Sequence, residues 1–385
     1  MSGPKTLLVV SVAASLLMTG VGMVVAMLPQ RVLDLSGSLQ SVGYLASCFA
    51  LSYLLVQLPV GRLADRLGAK PFLVLGYVTC GAAGLLFFFA ASAEAIFVGR
   101  FVQGLGEAPI WALGPALLSL AYPRAKGRVI GIYNAAIHSG LAVGPLLGIV
   151  LSSSASGRLP FLIFAGLCLI GGAIVLLLLR PAAIQLGPQA RRSIRLGDMA
   201  RLLSRGNALL SLQGVLLYGA GYGVFVSVLP ATLTLTKDFG QAAVGVFFTL
   251  FYVAVSVAQI VAGPLSDRHG RAAFMTAGLA MAAVGLGSFS LTPFPWVYGP
   301  LALASLGLGV FHVAAIADLS DSVPASLRAT ASGSFFLSWG LGYFLGPLAV
   351  GALTGPLGPE GPYRLLALLF AVAAAAVIAR RSSSA

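Results

Sequence analysis

Long apolar blocks recur along the whole chain and decide what it can fold into. A membrane-spanning α-helix needs roughly 20 mostly apolar residues, because the hydrocarbon core of a bilayer is about 30 Å thick. Twelve such blocks occur, separated by short segments that carry charges, glycine or proline. They predict an all-α membrane protein with twelve transmembrane helices. The predicted spans are 7–29, 39–62, 71–92, 94–120, 129–151, 159–180, 208–231, 241–264, 272–292, 296–318, 329–353 and 362–379.

Charged residues are too scarce for a soluble protein. They make up 9% of the chain, whereas typical soluble domains carry about 25%. The net charge of +13 comes from basic residues between the apolar blocks and not from one basic face, so we expect a lipid bilayer and no nucleic acid as partner. Cys48, Cys80 and Cys168 all lie inside apolar blocks, and their spacing predicts neither a disulfide framework nor a metal site.

The distribution of lysine and arginine predicts the orientation in the membrane. With the N-terminus in the cytoplasm, the cytoplasmic segments hold 18 of the 23 basic residues and the opposite side holds 4. The positive-inside rule then places both termini in the cytoplasm. Span 7–29 is too long for a signal-peptide core and no clear cleavage site follows it, so we expect it to stay in a bacterial cytoplasmic (inner) membrane.

The two halves of the sequence repeat each other at an offset of 202 residues. Segment 61–68 recurs as segment 263–270 with the pattern Gly-x-Leu-x-Asp-Arg-x-Gly, and the Gly-Pro pair at 144–145 recurs at 346–347. The sequence therefore predicts two six-helix bundles of the same orientation, a transporter architecture in which the substrate binds near the midplane between the halves. The predicted domains are an N-terminal bundle over 1–180, a basic cytoplasmic linker over 181–206 and a C-terminal bundle over 207–385.

Three motifs resemble those of the major facilitator superfamily of secondary transporters. The resemblance implies a monomeric transporter that works by alternating access and is not an enzyme. The signature loop between spans 2 and 3 matches Gly61, Asp65, Arg66 and Gly68, and its repeat matches Gly263, Asp267, Arg268 and Gly270. The second motif matches Arg100-x-x-Gln103-Gly104-x-Gly106 in span 4, and a motif of proton-driven exporters matches Gly140, Gly144, Pro145 and Gly148 in span 5.

The resemblance also implies roles for these motifs. It implies that the two signature loops latch the halves together on the cytoplasmic side, where an aspartate can face the positive end of a helix. A tight turn is the alternative, and it explains the glycines but not the repeated Asp-Arg pair. Glycines at every fourth position in span 5 predict a flat face for close helix packing, whereas their link to export comes from the resemblance alone.

Glu107 is the only acid deep inside a predicted span, roughly thirteen residues into span 4, whereas Asp318 lies about one turn inside span 10. A charged carboxylate is costly near the midplane, so protonation becomes easy, as a proton-coupling site requires. Arg100 and Gln103 share its helical face and extend it into one polar stripe. Two alternatives remain: Glu107 forms a structural ion pair with a cation on another helix, or Arg100 reaches towards the membrane interface.

Further candidates are weaker. His138 in span 5 and His312 in span 10 are possible proton relays, although a lone histidine in a span is more often packed and hydrogen-bonded. The candidates for an apolar substrate cavity are mainly aromatic, and packing or lipid contact is the alternative for each. They are Trp111, Tyr133, Asn134, Tyr218, Tyr222, Phe225, Tyr252 and Trp339.

These observations predict proton-coupled export of small apolar or amphiphilic molecules, with Glu107 as the exchanging acid. We expect no cofactor, because the chain has no Gly-x-x-x-x-Gly-Lys segment for binding a nucleotide. A metabolite importer or symporter and a lipid flippase of the same fold remain alternatives. A non-transporting membrane sensor is the alternative from another class.

Overall fold

A computed structural model describes residues 3–122, 126–152, 157–179, 206–323 and 328–382. Within these ranges the regular structure is thirteen α-helices and one 3-10 turn, Phe289–Leu291, with no strand. The all-α fold predicted from the apolar blocks is confirmed. The helices are α1 Gly3–Ser36, α2 Leu39–Leu67, α3 Ala69–Phe89, α4 Ala93–Ala121, α5 Lys126–Ser152, α6 Leu159–Leu178, α7 Gly206–Val226, α8 Val228–Lys237, α9 Gln241–His269, α10 Arg271–Ser288, α11 Tyr298–Asp321, α12 Arg328–Leu357 and α13 Gly361–Ser382.

Eleven helices of the described chain are long and apolar enough to cross a membrane. Helix α4 is not among them although it has 29 residues. It carries a polar stripe around Gln103 and Glu107, and it contains Pro109 and Pro115. The seventh predicted span consists of two helices, α7 and α8, which meet at Ser227.

Several helices continue beyond the predicted spans. Helix α1 ends at Ser36 and α2 at Leu67, a turn or more past the ends estimated from apolar length. Apolar length measures only the part of a helix that needs lipid, whereas backbone hydrogen bonds continue into the polar ends. The linker predicted at 181–206 lies outside the described residues except for Gly206, where α7 begins.

The contacts divide the described helices into two units. The first unit contains α1, α2 from Cys48 onwards, and α3 to α6, whereas the second contains the start of α2 and α7 to α13. In the first unit α1 packs on α5 and α6, and α3 packs on α4 and α6. In the second unit α7 packs on α12, and α10 packs on α11 and α13. The sequence repeat therefore extends to the way in which helices pair within each unit.

Glycines of α5 let the α1 backbone approach closely. A Cβ atom on Gly140 would lie 2.6 Å from the Ser15 carbonyl oxygen, and one on Gly144 would lie 2.8 Å from the Cα atom of Gly22. These neighbours are backbone atoms, so they cannot move aside at low cost. Gly148 completes this face, where a Cβ atom would lie 3.1 Å from the Met23 Cα atom.

The second unit repeats this packing between α12 and α7. A Cβ atom on Gly342 would meet the Leu216 carbonyl oxygen, and one on Gly346 would lie 2.6 Å from the Ala220 Cβ atom. Leu216 is offset by 201 residues from Ser15, which is the partner of Gly140 in the first unit. The same close approach of two helix backbones is therefore built twice from glycines at equivalent positions.

The last glycine of each signature loop is required by the backbone. Gly68 has φ = 82° and Gly270 has φ = 93°, in the left-handed region that residues with a Cβ atom avoid. Each lies at the turn between two helices, α2 to α3 and α9 to α10. This part of the repeated motif is accounted for by turn geometry.

We expect Gly144→Ala to lower the free energy of unfolding by about 1–3 kcal/mol, because the added methyl group has to displace the α1 backbone. Gly131→Ala is the matched control on the same helix, since a Cβ atom there would have no neighbour within 4 Å. This control should keep or slightly raise stability, because alanine favours helix formation over glycine. Thermal unfolding of the two purified variants in detergent checks the prediction, and equal losses would contradict it.

Candidate functional site

A line of hydrogen-bonded side chains runs along one face of α4. Arg100 Nη1 donates to Gln103 Oε1 at 2.9 Å, and Gln103 Nε2 donates to Glu107 Oε1 at 2.8 Å. Trp111 Nε1 donates to the other carboxylate oxygen, Glu107 Oε2, at 3.1 Å. Spacings of three and four residues bring the four side chains onto the same face of the helix. We call these four residues the α4 ladder.

The ladder is buried. Arg100 and Glu107 are each 3% exposed and Gln103 is fully buried, whereas Trp111 is half-buried. A buried charge is tolerated only where hydrogen bonds replace its lost hydration. The carboxylate of Glu107 receives these bonds from two neutral donors, the Gln103 amide and the Trp111 indole. In this arrangement the Gln103 amide bridges the opposite charges of Arg100 and Glu107.

Helix α2 forms one wall of the site. The Arg100 guanidinium lies over the Phe49 ring, 4.9 Å from its centroid, which is a cation–π distance. The Tyr53 ring is stacked 5.9 Å from that of Phe49, and its hydroxyl accepts a hydrogen bond from Gln57 Nε2 at 3.2 Å. Sequence reasoning missed Phe49 and Tyr53, because nothing in the α2 sequence shows which of its aromatic side chains faces α4.

Two glycines of the second motif bring the neighbouring helices against the ladder. A Cβ atom on Gly104 would meet the carbonyl oxygen of Phe49 on α2. A Cβ atom on Gly106 would lie 2.6 Å from Cys80 Sγ on α3. Because both glycines lie within three residues of Gln103, α2 and α3 approach the α4 backbone closely at the level of the ladder.

Helix α5 carries two of the predicted cavity residues and one of the predicted relay histidines. Tyr133 is fully buried, and its hydroxyl donates to the Ile110 carbonyl oxygen at 3.4 Å, so it ties α5 to α4. Asn134 is exposed and His138 is half-buried. The two predicted relay histidines are not brought together within one unit, because His138 belongs to the first unit and His312 to the second.

The predicted cavity aromatics of the second unit form one cluster. The Tyr222 ring centroid lies 6.1 Å from that of Tyr218 and 6.1 Å from that of Trp339. His312 joins the cluster 5.1 Å from Tyr218. Tyr343, which sequence reasoning missed, lies 5.2 Å from Trp339. Tyr343 follows Trp339 by four residues, which places both side chains on one helix face. This spacing could have identified Tyr343 from the sequence.

Phe225 and Tyr252 extend this cluster through a common neighbour. The Phe251 ring is stacked 5.2 Å from Phe225 and lies 5.1 Å from Tyr252. All three side chains are buried. Their burial shows that they pack within the second unit, and their contact with cargo stays a prediction.

The second signature loop is held by an arginine of its own unit. The Arg271 guanidinium pairs with Asp267, and its Nε lies 3.4 Å from Asp321 Oδ2. Arg271 Nη1 also donates to Ser266 Oγ at 2.7 Å. These contacts tie the ends of α9, α10 and α11 together, and sequence reasoning missed Arg271.

The structure shows less about the contacts of the remaining residues of the two signature loops. Gly263 is half-buried, Arg268 is exposed, and Asp267 is exposed despite its ion pair. Gly61, Asp65 and Arg66 lie in the last turns of α2, and their side chains are outside the part that the structure describes. The predicted cytoplasmic latch between the halves stays a prediction.

A second buried carboxylate lies in the second unit. Asp318 of α11 is buried, and its Oδ2 accepts a hydrogen bond from Ser211 Oγ of α7 at 2.8 Å. It was estimated from the sequence to lie only one turn inside the span. A signal was present, because Asp318 follows Phe311, Ala314 and Ala315 at the spacing of the buried face of α11.

Comparison with known proteins identifies a family. The sequence model of the Major Facilitator Superfamily matches residues 10–233 and, overlapping with these, residues 212–384. An uncharacterized MFS-type transporter of Methanocaldococcus jannaschii is 22% identical over 375 residues, which cover 94% of this chain and 95% of that protein.

Two relatives have names that state a cargo or an effect. The synaptic vesicular amine transporter of Homo sapiens is 26% identical over 86% of this chain and 64% of its own length. This chain therefore spans slightly less than two thirds of that protein. Multidrug resistance protein 1 of Bacillus subtilis is 31% identical over 42% of this chain and 41% of its own length.

Solved structures share the fold. A mutant of the nucleoside transporter NupG superposes with a TM-score of 0.85 and 16% identity, covering 97% of this chain and 99% of that one. A bacterial homolog of the human lysosomal transporter Spinster superposes with a TM-score of 0.78 and 19% identity, covering 98% and 94%. At these identities the similarity shows the fold, with its two repeated six-helix bundles, and nothing about the cargo.

We expect Ser211→Ala to lower the free energy of unfolding by about 1–3 kcal/mol, because it removes a hydrogen-bond donor from the buried Asp318 carboxylate. Ser305→Ala is the matched control. Ser305 is equally buried in the second unit, but its hydroxyl donates only to the Leu301 carbonyl oxygen of its own helix at 2.7 Å. Unfolding of both variants in detergent is the measurement, and a larger loss for the control than for Ser211→Ala would refute the expected role.

Proposed function

Because the chain belongs to the major facilitator superfamily of membrane transporters, we propose that it is a proton-coupled exporter of small apolar or amphiphilic molecules. Cargo and protons move in opposite directions by alternating access, and Glu107 carries the proton. Membership of the family supports transport across the membrane in general. The direction, the coupling ion and the cargo class are the proposed part.

One observation carries the proposal, the Glu107 carboxylate buried among neutral donors. A residue that couples transport to protons has to exist in both protonation states within the cycle. The Gln103 and Trp111 N–H groups stabilise the ionised state, while burial favours the neutral one. Both effects act on the Glu107 carboxyl group, so neither its ionised nor its neutral state is excluded. Intramembrane acids are usually functional for this reason.

The proposed cycle exchanges a proton for cargo at Glu107. The residue loses its proton towards the cytoplasm, binds cargo in the ionised state and takes up a proton on the opposite side. Proton binding then favours release of the cargo, because the negative charge that favoured cargo is neutralised. The proton gradient thereby drives cargo out of the cytoplasm.

The proposed cargo class follows from the charge and aromatic content of the described residues. An ionised carboxylate favours molecules with a positive or hydrogen-bonding group, and aromatic side chains favour flat apolar groups and cations. The names of two relatives, an amine transporter and a multidrug resistance protein, support organic molecules of this kind. Among the residues that the structure describes, Arg100 is the one buried lysine or arginine, which disfavours an anionic metabolite as cargo.

The proposed orientation has both termini in the cytoplasm of a bacterial cell, with the protein in the cytoplasmic membrane. It is supported by the excess of basic residues in the segments assigned to that side, 18 against 4. In this orientation the signature loops that end at Gly68 and Gly270 face the cytoplasm.

Inside-out membrane vesicles test the function. The vesicles are energised, the pH gradient is followed with a dye, and lipophilic amines, neutral antibiotics, sugars and amino acids are added one class at a time. We expect amines or other amphiphiles to dissipate the gradient, because their accumulation in the vesicles consumes protons. We expect Glu107→Gln to reduce this response to that of vesicles without the protein, because glutamine cannot exchange a proton.

Glu94→Gln is the matched control, because it makes the same substitution on the same helix at an exposed position in the first turn. It should keep the wild-type response. Retention of gradient-driven cargo movement by Glu107→Gln would refute the proposed role of this acid. A protein that binds cargo but never affects the gradient would favour a uniporter or a lipid flippase.

A further inference from the structure

Arg100 and Trp111, the two ends of the α4 ladder, fix the direction of its hydrogen bonds by their chemistry. A guanidinium group has only donors, and an indole N–H is a donor only. Gln103 therefore turns its carbonyl oxygen towards Arg100, which leaves its NH2 group for Glu107. Since Trp111 donates to the other oxygen, both oxygens of Glu107 accept from N–H groups. This order fits an ionised carboxylate, which is an acceptor only.

A proton on Glu107 disturbs this order. The new O–H group needs an acceptor, and neither the Gln103 NH2 group nor the Trp111 N–H can accept. A half-turn of the Gln103 amide would present its oxygen to the Glu107 O–H. The same half-turn would direct the NH2 group at the Arg100 guanidinium, so that two donors would face each other. Arg100 would then lose the Gln103 oxygen as an acceptor while keeping its contact with the Phe49 ring.

We propose that Gln103 is a positioning residue that switches between two orientations. Its amide oxygen accepts a hydrogen bond from Arg100 while Glu107 is ionised, and it accepts one from Glu107 once Glu107 is protonated, which breaks the hydrogen bond between Gln103 and Arg100. This inference rests on the proposed proton-coupled function and names the residue that links the protonation of Glu107 to the contacts of Arg100. Loading a proton on Glu107 changes the contacts of a buried cation seven residues away on the same helix.

Other titratable groups surround Glu107 without this bridging position. Tyr53 on α2, Cys80 on α3 and Cys168 on α6 lie within electrostatic reach of its carboxylate. On α5, Tyr133 is bonded to the Ile110 carbonyl oxygen and His138 is half-buried. Helix α1 has no titratable side chain between residues 6 and 30. The Gln103 amide, by contrast, is hydrogen-bonded to both Arg100 and Glu107.

Infrared titration of the purified full-length protein in lipid nanodiscs tests the switch. The carbonyl band of a protonated carboxyl group is followed against pH and assigned to Glu107 by its absence in Glu107→Gln. The titration is repeated for Arg100→Gln, Gln103→Met and the double variant. Methionine has about the length of glutamine but no amide, so it removes the bridge while preserving the packing.

We expect Arg100→Gln to shift the midpoint of the Glu107 band by about one pH unit when Gln103 is present, roughly the effect of one charge-assisted hydrogen bond. In the Gln103→Met background the same substitution should shift it by less than about a third of that, because the bridge is already gone. Gln103→Leu is a second apolar replacement, and it should give the same loss of coupling if the methionine variant does not fold.

Equal shifts in both backgrounds would show that charge attraction through space joins Arg100 to Glu107, and would overturn the switch. The absence of any shift on Arg100→Gln would overturn it as well. If gradient-driven transport persists in either case, only the switch fails. If the Glu107 band does not titrate and amphiphiles never affect the pH gradient, the proposed function fails together with the switch.

Discussion

The first unit depends on keeping a carboxylate inside an apolar helix bundle. An ionised Glu107 is tolerated there because Gln103 and Trp111 donate to both of its oxygens. Those donors lie on the same helix, so the site needs no ion pair with a cation on another helix. Close approach of α2 and α3 at Gly104 and Gly106 then covers the ladder. Gly104 and Gly106 therefore contribute, together with the polar residues of the same motif, to burying a charge among fixed partners.

The sequence predicted the helical fold because apolar length is a direct consequence of bilayer thickness. Helix spacing likewise placed Arg100, Gln103 and Glu107 on one face, as the structure has them. The break at Ser227 between α7 and α8 was not predictable, because apolar residues continue across it. Partners on other helices, such as Phe49 below Arg100, were also out of reach, because a single sequence does not show how two helices are rotated against each other.

Asp318 shows how a boundary estimate affects a functional prediction. The sequence places Asp318 about one turn inside the membrane, at the last residue of the predicted span 296–318, and not near the midplane as it places Glu107. Helix α11 continues to Asp321, and Asp318 is buried against Ser211. Apolar length therefore located this acid near the end of a span but did not show that it is buried. Polar residues near the ends of spans are where apolar length is least informative.

The repeat preserves packing but not chemistry. The position equivalent to Glu107 is Gly309, where a Cβ atom would lie 2.6 Å from the Val255 carbonyl oxygen of α9. The position equivalent to Arg100 is Ala302, which is apolar. In the second unit this helix face is thus used for close contact between backbones, whereas in the first it carries the ladder. Since the same helix pairs form in both units, the second unit pairs its helices without a ladder. The ladder costs hydration energy and has no counterpart at the equivalent positions Ala302 and Gly309, which favours a role of its own for the first unit.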